Sequence, residues 1–171
     1  MVNKLLSLLF LIFLLYSCSS SQKVIQQSSK KKIKSKTISK EPTLGDKIIW
    51  TAVSYKGVPY KYGGISKKGI DCSGLIYISF KKRNIQLPRT SRLMYSEGYP
   101  IRLNEVKRGD LLFFKTSSRS KGVNHVGLVT SAKKGNIQFI HSTSSKGVVV
   151  SYLKEKYWKN AFIRAKRVLD Q

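Results

Sequence analysis

Three side chains in this 171-residue sequence have the types and neighbours that covalent catalysis needs: Cys72, His125 and His141. The chain holds only two cysteines and two histidines, so any thiol or imidazole chemistry must draw on these few groups. A thiol attacks a carbonyl as its thiolate; it needs a base to take the proton, and the base needs a partner that fixes its orientation. In that scheme Cys72 is the nucleophile, His125 takes and later returns the proton, and His141 sets the His125 tautomer. The N–H of Cys72, with Ser73 nearby, is placed to serve an oxyanion, and Tyr60 or Tyr62 offers a phenolic donor. Two other readings use the same residues. A cysteine on an apolar helix packs as an inert small hydrophobe. Cys72 and both histidines, joined by Asp71 or Asp110, would also supply a zinc-ligand set, although no close C-x-x-C pair accompanies them.

The elements that must position these groups fall into a helical front half and a stranded back half. Thr43-Leu-Gly-Asp46 reads as a capping box, followed by Ile48, Ile49, Ala52 and Val53 at helical spacing and closed by Gly57. A loop through Pro59–Gly64 leads to a second helix starting at Cys72. Asp71 is its N-cap, and Leu75, Ile76, Ser79 and Phe80 run down one face. In the opening turn of that helix, unpaired N–H groups and the dipole favour a thiolate at Cys72. A short third helix is expected around Ser91–Ser96.

From Gly109 onward the pattern changes to strands at 110–114, 125–130, 137–141, 148–152 and 162–168, with a turn at Lys134-Gly135-Asn136. A hairpin through 131–136 sets His125 opposite His141 and Val129 opposite Ile137, which brings both imidazoles to one face at one end of the sheet. Helices followed by antiparallel strands make an α+β domain.

The N-terminus bears on where such a domain would work. Lys4 precedes a 12-residue apolar run, Leu5–Tyr16, and then Ser17-Cys18-Ser19. This is the layout of a secretory signal, too short to span a bilayer. Leu15-Tyr16-Ser17-Cys18 resembles the lipobox of bacterial lipoproteins, in which the cysteine is acylated and the preceding peptide removed. Tyr16 departs from the small residue usual at its place, and ordinary secretion with a free Cys18 is the alternative.

Residues 1–17 are therefore expected to be a signal peptide, and 18–43 a lipidated Cys18 with a Ser- and Lys-rich tether. That tether should reach roughly 25–30 Å as a coil and about 80 Å when extended. The folded domain is expected over residues 44–171. Ser19 resembles outer-membrane sorting where an envelope has two membranes.

The formal charge of +25 first suggests nucleic acid. Export outside the cytoplasm argues against that partner. The 25 Lys+Arg against seven acids from Leu44 onward fit either attraction to an anionic envelope polymer or a solvated lysine-rich surface. No cofactor is expected, and the protein is expected to act as a monomer.

Several segments together resemble one family. Gly57-Val-Pro-Tyr-Lys-Tyr-Gly-Gly64, Gly69-Ile-Asp-Cys-Ser-Gly74, Leu87-Pro-Arg-Thr-Ser91, Arg108-Gly-Asp-Leu-Leu-Phe-Phe114, His125-Val-Gly-Leu-Val129 and Phe139-Ile-His-Ser142 resemble the NlpC/P60 cysteine peptidases in order and spacing. The likeness is greatest to the small Spr-type lipoprotein endopeptidases. The resemblance implies a papain-like α+β fold and metal-free hydrolysis of peptidoglycan (murein) stem-peptide or cross-link amides involving diaminopimelate. It implies Cys72 as nucleophile, His125 as base and His141 as third member, with Tyr60 near the oxyanion and Asp71 and Ser73 at the substrate's amino end.

The sequence departs from the family pattern in two ways. Met94 stands where many members carry Gln, and no SH3-like module precedes the domain, which would leave a cleft open to polymeric substrate. An acyltransferase or amidase on the same fold, and a non-catalytic peptidoglycan-binding lipoprotein, are the alternative functions.

Overall fold

The computed structural model describes residues 41–169. The signal peptide, Cys18 and nearly all of the tether lie outside the described residues. Among those described, no helix is long and apolar enough to cross a membrane.

Helix α1 spans Leu44–Val53 and starts with the capping box read from the sequence: the Asp46 N–H donates to Thr43 Oγ1, and the Thr43 N–H to Asp46 Oδ2. Its buried stripe is Gly45, Ile48, Ile49 and Ala52. Val53, expected on that stripe, is 43% exposed. It lies one residue, or about 100°, beyond Ala52, which rotates it off the core face. The helix stops there, four residues before Gly57.

A two-stranded hairpin follows, β1 (Ile65–Ser66) with β2 (Gly69–Ile70). Helix α2 then runs Cys72–Lys81, with the Asp71 side chain accepting from the Gly74 N–H at 2.6 Å as its N-cap. Leu75, Ile76, Ser79 and Phe80 are all buried, as the spacing predicts. Helix α3 covers only Ser91–Met94, shorter than expected.

The remaining strands are β3 (Tyr99–Ile101), β4 (Leu111–Phe114), β5 (His125–Lys133), β6 (Asn136–Thr143), β7 (Gly147–Tyr152) and β8 (Phe162–Arg167). They form one antiparallel sheet in the order β3-β8-β4-β5-β6-β7. A six-residue helix, α4 (Lys156–Ala161), enters between β7 and β8. The sequence gives little notice of α4 because so short a segment shows no full helical period.

Both faces of the sheet are covered. Helices α1 and α2 pack on one face against Leu111, Phe113, Val126, Leu128 and Ile140. On the other face, Leu112, Phe114, Val129 and Phe139 pack against Trp158 from α4. Hence Leu111-Leu-Phe-Phe114 is apolar throughout rather than alternating: successive side chains enter opposite cores. Met94 is fully buried in the helical core.

The β5–β6 register differs from the expected one. Val129 pairs with Phe139 and Leu128 with Ile140, while beyond a bulge at Thr130 Ala132 pairs with Ile137. The hairpin turns on two residues, Lys134 and Gly135, both with positive φ. Continuing the register sets His141 across from Gly127, so the histidines are diagonal rather than opposite neighbours. The offset of two residues preserves the shared face, because strand side chains repeat every two. Gly127 makes room there: a Cβ would lie 2.4 Å from the Phe139 ring.

Candidate active site

Cys72 is the first residue of α2, and His125 the first of β5. Each stands at the end of its element that opens onto a cleft, and the cleft has two lobes. One, of about 480 Å3, is lined by Cys72, His125, His141, Ser151 and Trp158. The other, of about 630 Å3, is lined by Tyr62, Asp71, Ser73, Arg89 and Arg92. Tyr60, Cys72 and Asn124 belong to both, so the thiol sits where the lobes meet.

His125 Nε2 lies 3.0 Å from His141 Nδ1. His141 Nε2 in turn lies 3.0 Å from Ser151 Oγ on β7. With Nε2 so engaged, Nδ1 is the His125 nitrogen left for the thiol. Trp158 floors the pair, stacking on His125 at 24° with centroids 5.3 Å apart and meeting His141 edge-on at 4.5 Å.

Burial pushes His125 down to about 4, and burial together with the neighbouring His125 pushes His141 down to about 3. Both rings are therefore neutral near pH 7. Burial also pushes the Cys72 thiol up, to about 11, outweighing the hydrogen bonds that sulfur receives from the N–H groups of Val126, Ser73 and Cys72 itself. Burial thus opposes the thiolate that the helix terminus favours. Both shifts favour the neutral thiol and imidazole over an ion pair.

Asp71 holds the other side of the cleft together. Its carboxylate accepts from the N–H groups of Gly63 and Gly74, from Ser73 Oγ, and from Arg89 twice, Nη1 to Oδ1 at 3.0 Å and Nη2 to Oδ2 at 2.9 Å. These donors outweigh desolvation and hold its pKa below the usual carboxylate value. Arg89 Nη1 also donates to Ser73 Oγ, and Nη2 to the Gly64 carbonyl. One ion pair therefore ties the 60–64 loop to the start of α2. The approach is close: a Cβ on Gly74 would lie 2.2 Å from the Gly64 oxygen.

Tyr60 is carried by that loop and bridges to Ile70, two residues before Cys72. Burial, reinforced by the nearby Cys72 and Asp71, raises its phenol above the usual value, so it is a donor. Ser142 Oγ donates to the Ile70 carbonyl at 2.7 Å and links the His141 strand to the same spot.

The structure brings Tyr60, Asp71, Cys72, Ser73, His125 and His141 together, as the sequence reading expects. Asp110 is remote in function: its carboxylate is taken by Arg167 at 2.8 and 2.9 Å and by the Lys107 N–H. No group of three or more His, Cys, Asp or Glu among the described residues is arranged to hold a metal ion.

Four neighbours escaped the sequence reading: Ser151, Trp158, Asn124 and Arg89. Arg89 lies in the Leu87–Ser91 segment, eighteen residues from Asp71, and nothing local marks that partner. Asn124 adjoins His125, and its Oδ1 accepts from both the N–H (2.8 Å) and the hydroxyl (3.2 Å) of Thr116. A backbone N–H can only donate, so this contact fixes the amide orientation and leaves Nδ2 as a donor with no partner among the described residues.

Residues 57–167 match the family described as NlpC/P60. The chain is 42% identical over 116 residues to a probable endopeptidase NlpC of Escherichia coli, covering 67% of this chain and 72% of that protein. It is 37% identical over 118 residues to the murein DD-endopeptidase MepS/murein LD-carboxypeptidase of the same organism, covering 68% and 59%. Among solved structures, an NLP/P60-family protein similar to lipoproteins from Staphylococcus aureus superposes with a TM-score of 0.65 at 33% identity. That match covers 77% of this chain and 45% of the other. Helices on one face of an antiparallel sheet, with the cysteine opening a helix and the histidines on adjacent strands, are the papain-like α+β arrangement expected from the sequence. The chain belongs to the NlpC/P60 family.

Proposed function

We propose that this protein is a peptidoglycan endopeptidase that hydrolyses murein peptide bonds by thiol catalysis. The observation that carries the reading is the single cleft in which Cys72, at the start of α2, meets the hydrogen-bonded His125–His141 pair. The names of the relatives, an endopeptidase and a murein DD-endopeptidase, support the substrate class.

In this mechanism the Cys72 proton passes to His125 Nδ1 as sulfur bonds to the scissile carbonyl carbon. The N–H groups of Cys72 and Ser73, with the Tyr60 hydroxyl, stabilise the oxyanion. The C–N bond then breaks, and the leaving amine takes the proton from Nδ1, leaving a thioester on Cys72. Water attacks the thioester and gives its proton to Nδ1; the C–S bond breaks, and the departing sulfur recovers that proton. His141 stays neutral throughout and orients the base.

Asp71 and Ser73 shape the second lobe, where their bonds to Arg89 make them a framework for the substrate's amino end. The bond cut is γ-D-glutamyl–diaminopimelate in the stem or D-alanyl–diaminopimelate in the cross-link. The carboxylates of either suit a strongly basic domain. An acylated Cys18 anchors the monomer to the membrane, the outer one where the envelope has two, and the basic tether lets the domain reach murein.

Digestion of purified sacculi by the full chain, beside Cys72→Ala, tests this reading. New stem or cross-link cleavage, resolved by mass spectrometry and absent in Cys72→Ala, supports it and names the bond. Retained sacculus binding without cleavage by a folded protein sinks it in favour of a binding role.

A further inference from the structure

The third member of this relay is an imidazole that burial keeps neutral, and a neutral imidazole has no inherent direction. It accepts at Nδ1 only when its own proton is on Nε2. If the His141 proton were on Nδ1 instead, it would donate to His125 Nε2 and drive the His125 proton onto Nδ1. That is the atom that must receive the thiol proton. The tautomer of His141 thus decides whether His125 is a base at all. A carboxylate in the third place would settle the matter by being acceptor-only; His141 cannot.

The decision passes to whatever meets His141 Nε2, and that partner is Ser151 Oγ at 3.0 Å. Ser151 lies on β7 directly across from Phe139, on the face that carries His141 and its partner Val149. It is the one hydroxyl in an otherwise apolar run, Val148-Val-Val-Ser151, and it lines the same cavity as the histidines and Cys72. Its oxygen can accept while its own proton turns toward the open cavity.

We propose that Ser151 is a positioning residue of the relay. Its Oγ accepts the His141 Nε2–H, holds both imidazoles as Nε2–H tautomers, and so leaves the His125 Nδ1 lone pair for Cys72. This rests on the thiol-catalysis reading above, but its decisive readout needs no substrate.

The full chain labelled with 15N at histidine gives only two imidazole spin systems, because the chain has two histidines. Long-range proton–nitrogen correlation at pH 7 reports which nitrogen of each is protonated. Nε2–H on both rings is expected in the native protein and in Ser151→Thr. In Ser151→Ala, His141 shifts toward Nδ1–H, iodoacetamide alkylates Cys72 more slowly, and kcat on murein peptides falls roughly tenfold or more with KM little changed. Nδ1–H on His141 in the native protein overturns the proposal. So does a Ser151→Ala protein whose tautomers are native, even if its activity is lower. The native and Ser151→Thr spectra decide the question should Ser151→Ala fail to fold, and a protein inactive on sacculi still yields the tautomers.

Discussion

His125 Nε2 and His141 Nδ1 face each other at 3.0 Å across two adjacent strands, yet the two residues are not cross-strand partners. The bulge at Thr130 shifts the register so that the rings meet on the diagonal, nearly perpendicular at 88°. That edge-on approach aims one ring's Nε2 at the other's Nδ1, which a pair of directly opposed, parallel rings would not do. Unequal roles follow. His125→Ala removes the base and should lower kcat/KM by roughly a thousandfold. His141→Asn keeps a neutral acceptor near His125 Nε2 and should cost about tenfold. Steady-state kinetics on a soluble murein peptide separates the two; equal losses would refute the assigned division.

Acid should act on both activity and stability. His125 is held down to about 4 and His141 to about 3, so the base remains unprotonated well below the ordinary imidazole value of 6.5. The acid limb of kcat/KM is expected near pH 4 rather than 6.5. Unfolding restores the ordinary values, so below pH 6.5 the unfolded chain binds more protons than the folded one, down to about 4 for His125 and about 3 for His141. The stability that the neutral pair contributes is therefore complete above pH 6.5 and is lost as pH falls through that window. Urea midpoints from pH 7 to pH 4 measure it, and a flat profile would contradict the neutral, buried pair.

Arg89→Ala should be among the most destabilising single changes in the domain. It would leave the nearly buried Asp71 carboxylate without its cation, and losing one partner of such a pair costs about 3–5 kcal/mol. Arg89→Lys should recover only part of that, because an ammonium cannot reproduce the two-pronged contact. Denaturant midpoints at unchanged slope provide the check. The same variant should lose activity even where it stays folded, since the 60–64 loop and Tyr60 lose their tie to α2.

Asn124→Asp replaces one donor by a charged acceptor beside His125 and Cys72. The aspartate can still accept from Thr116, so the fold should hold, but the atom replacing Nδ2 becomes an acceptor at the junction of the two lobes. The expected result is a drop of roughly tenfold or more in kcat/KM with unchanged thermal stability. Native kinetics in Asn124→Asp would show that neither the Nδ2 donor nor the added charge bears on the reaction.

Much of this site was legible in the sequence because its parts are local. Asp71 caps α2 three residues from Gly74, and the parity of strand positions puts His125 and His141 on one face whichever even register is adopted. What escaped depends on distant or weakly marked partners. The bulge at Thr130 carries no glycine or proline to announce it. Ser151 looks like any solvent-facing strand serine until β7 is paired with β6. Trp158 belongs to a helix too short to show a period, and its place beneath both imidazoles arises only when α4 folds back over the sheet. The pull of burial on the Cys72 thiol is hidden in the sequence for a similar reason. A helix terminus is visible in a sequence, whereas burial at that terminus depends on the strands that cover it.

The union of a capping carboxylate with a loop-clamping ion pair at Asp71 has one more consequence. The nucleophile and its base come from opposite halves of the chain, and their meeting requires α2, the 60–64 loop and the central strands to be in place together. Before the sheet closes, Cys72 is an ordinary thiol with no imidazole near it. The reactive centre therefore exists only in the folded domain, and chemistry and folding switch on together.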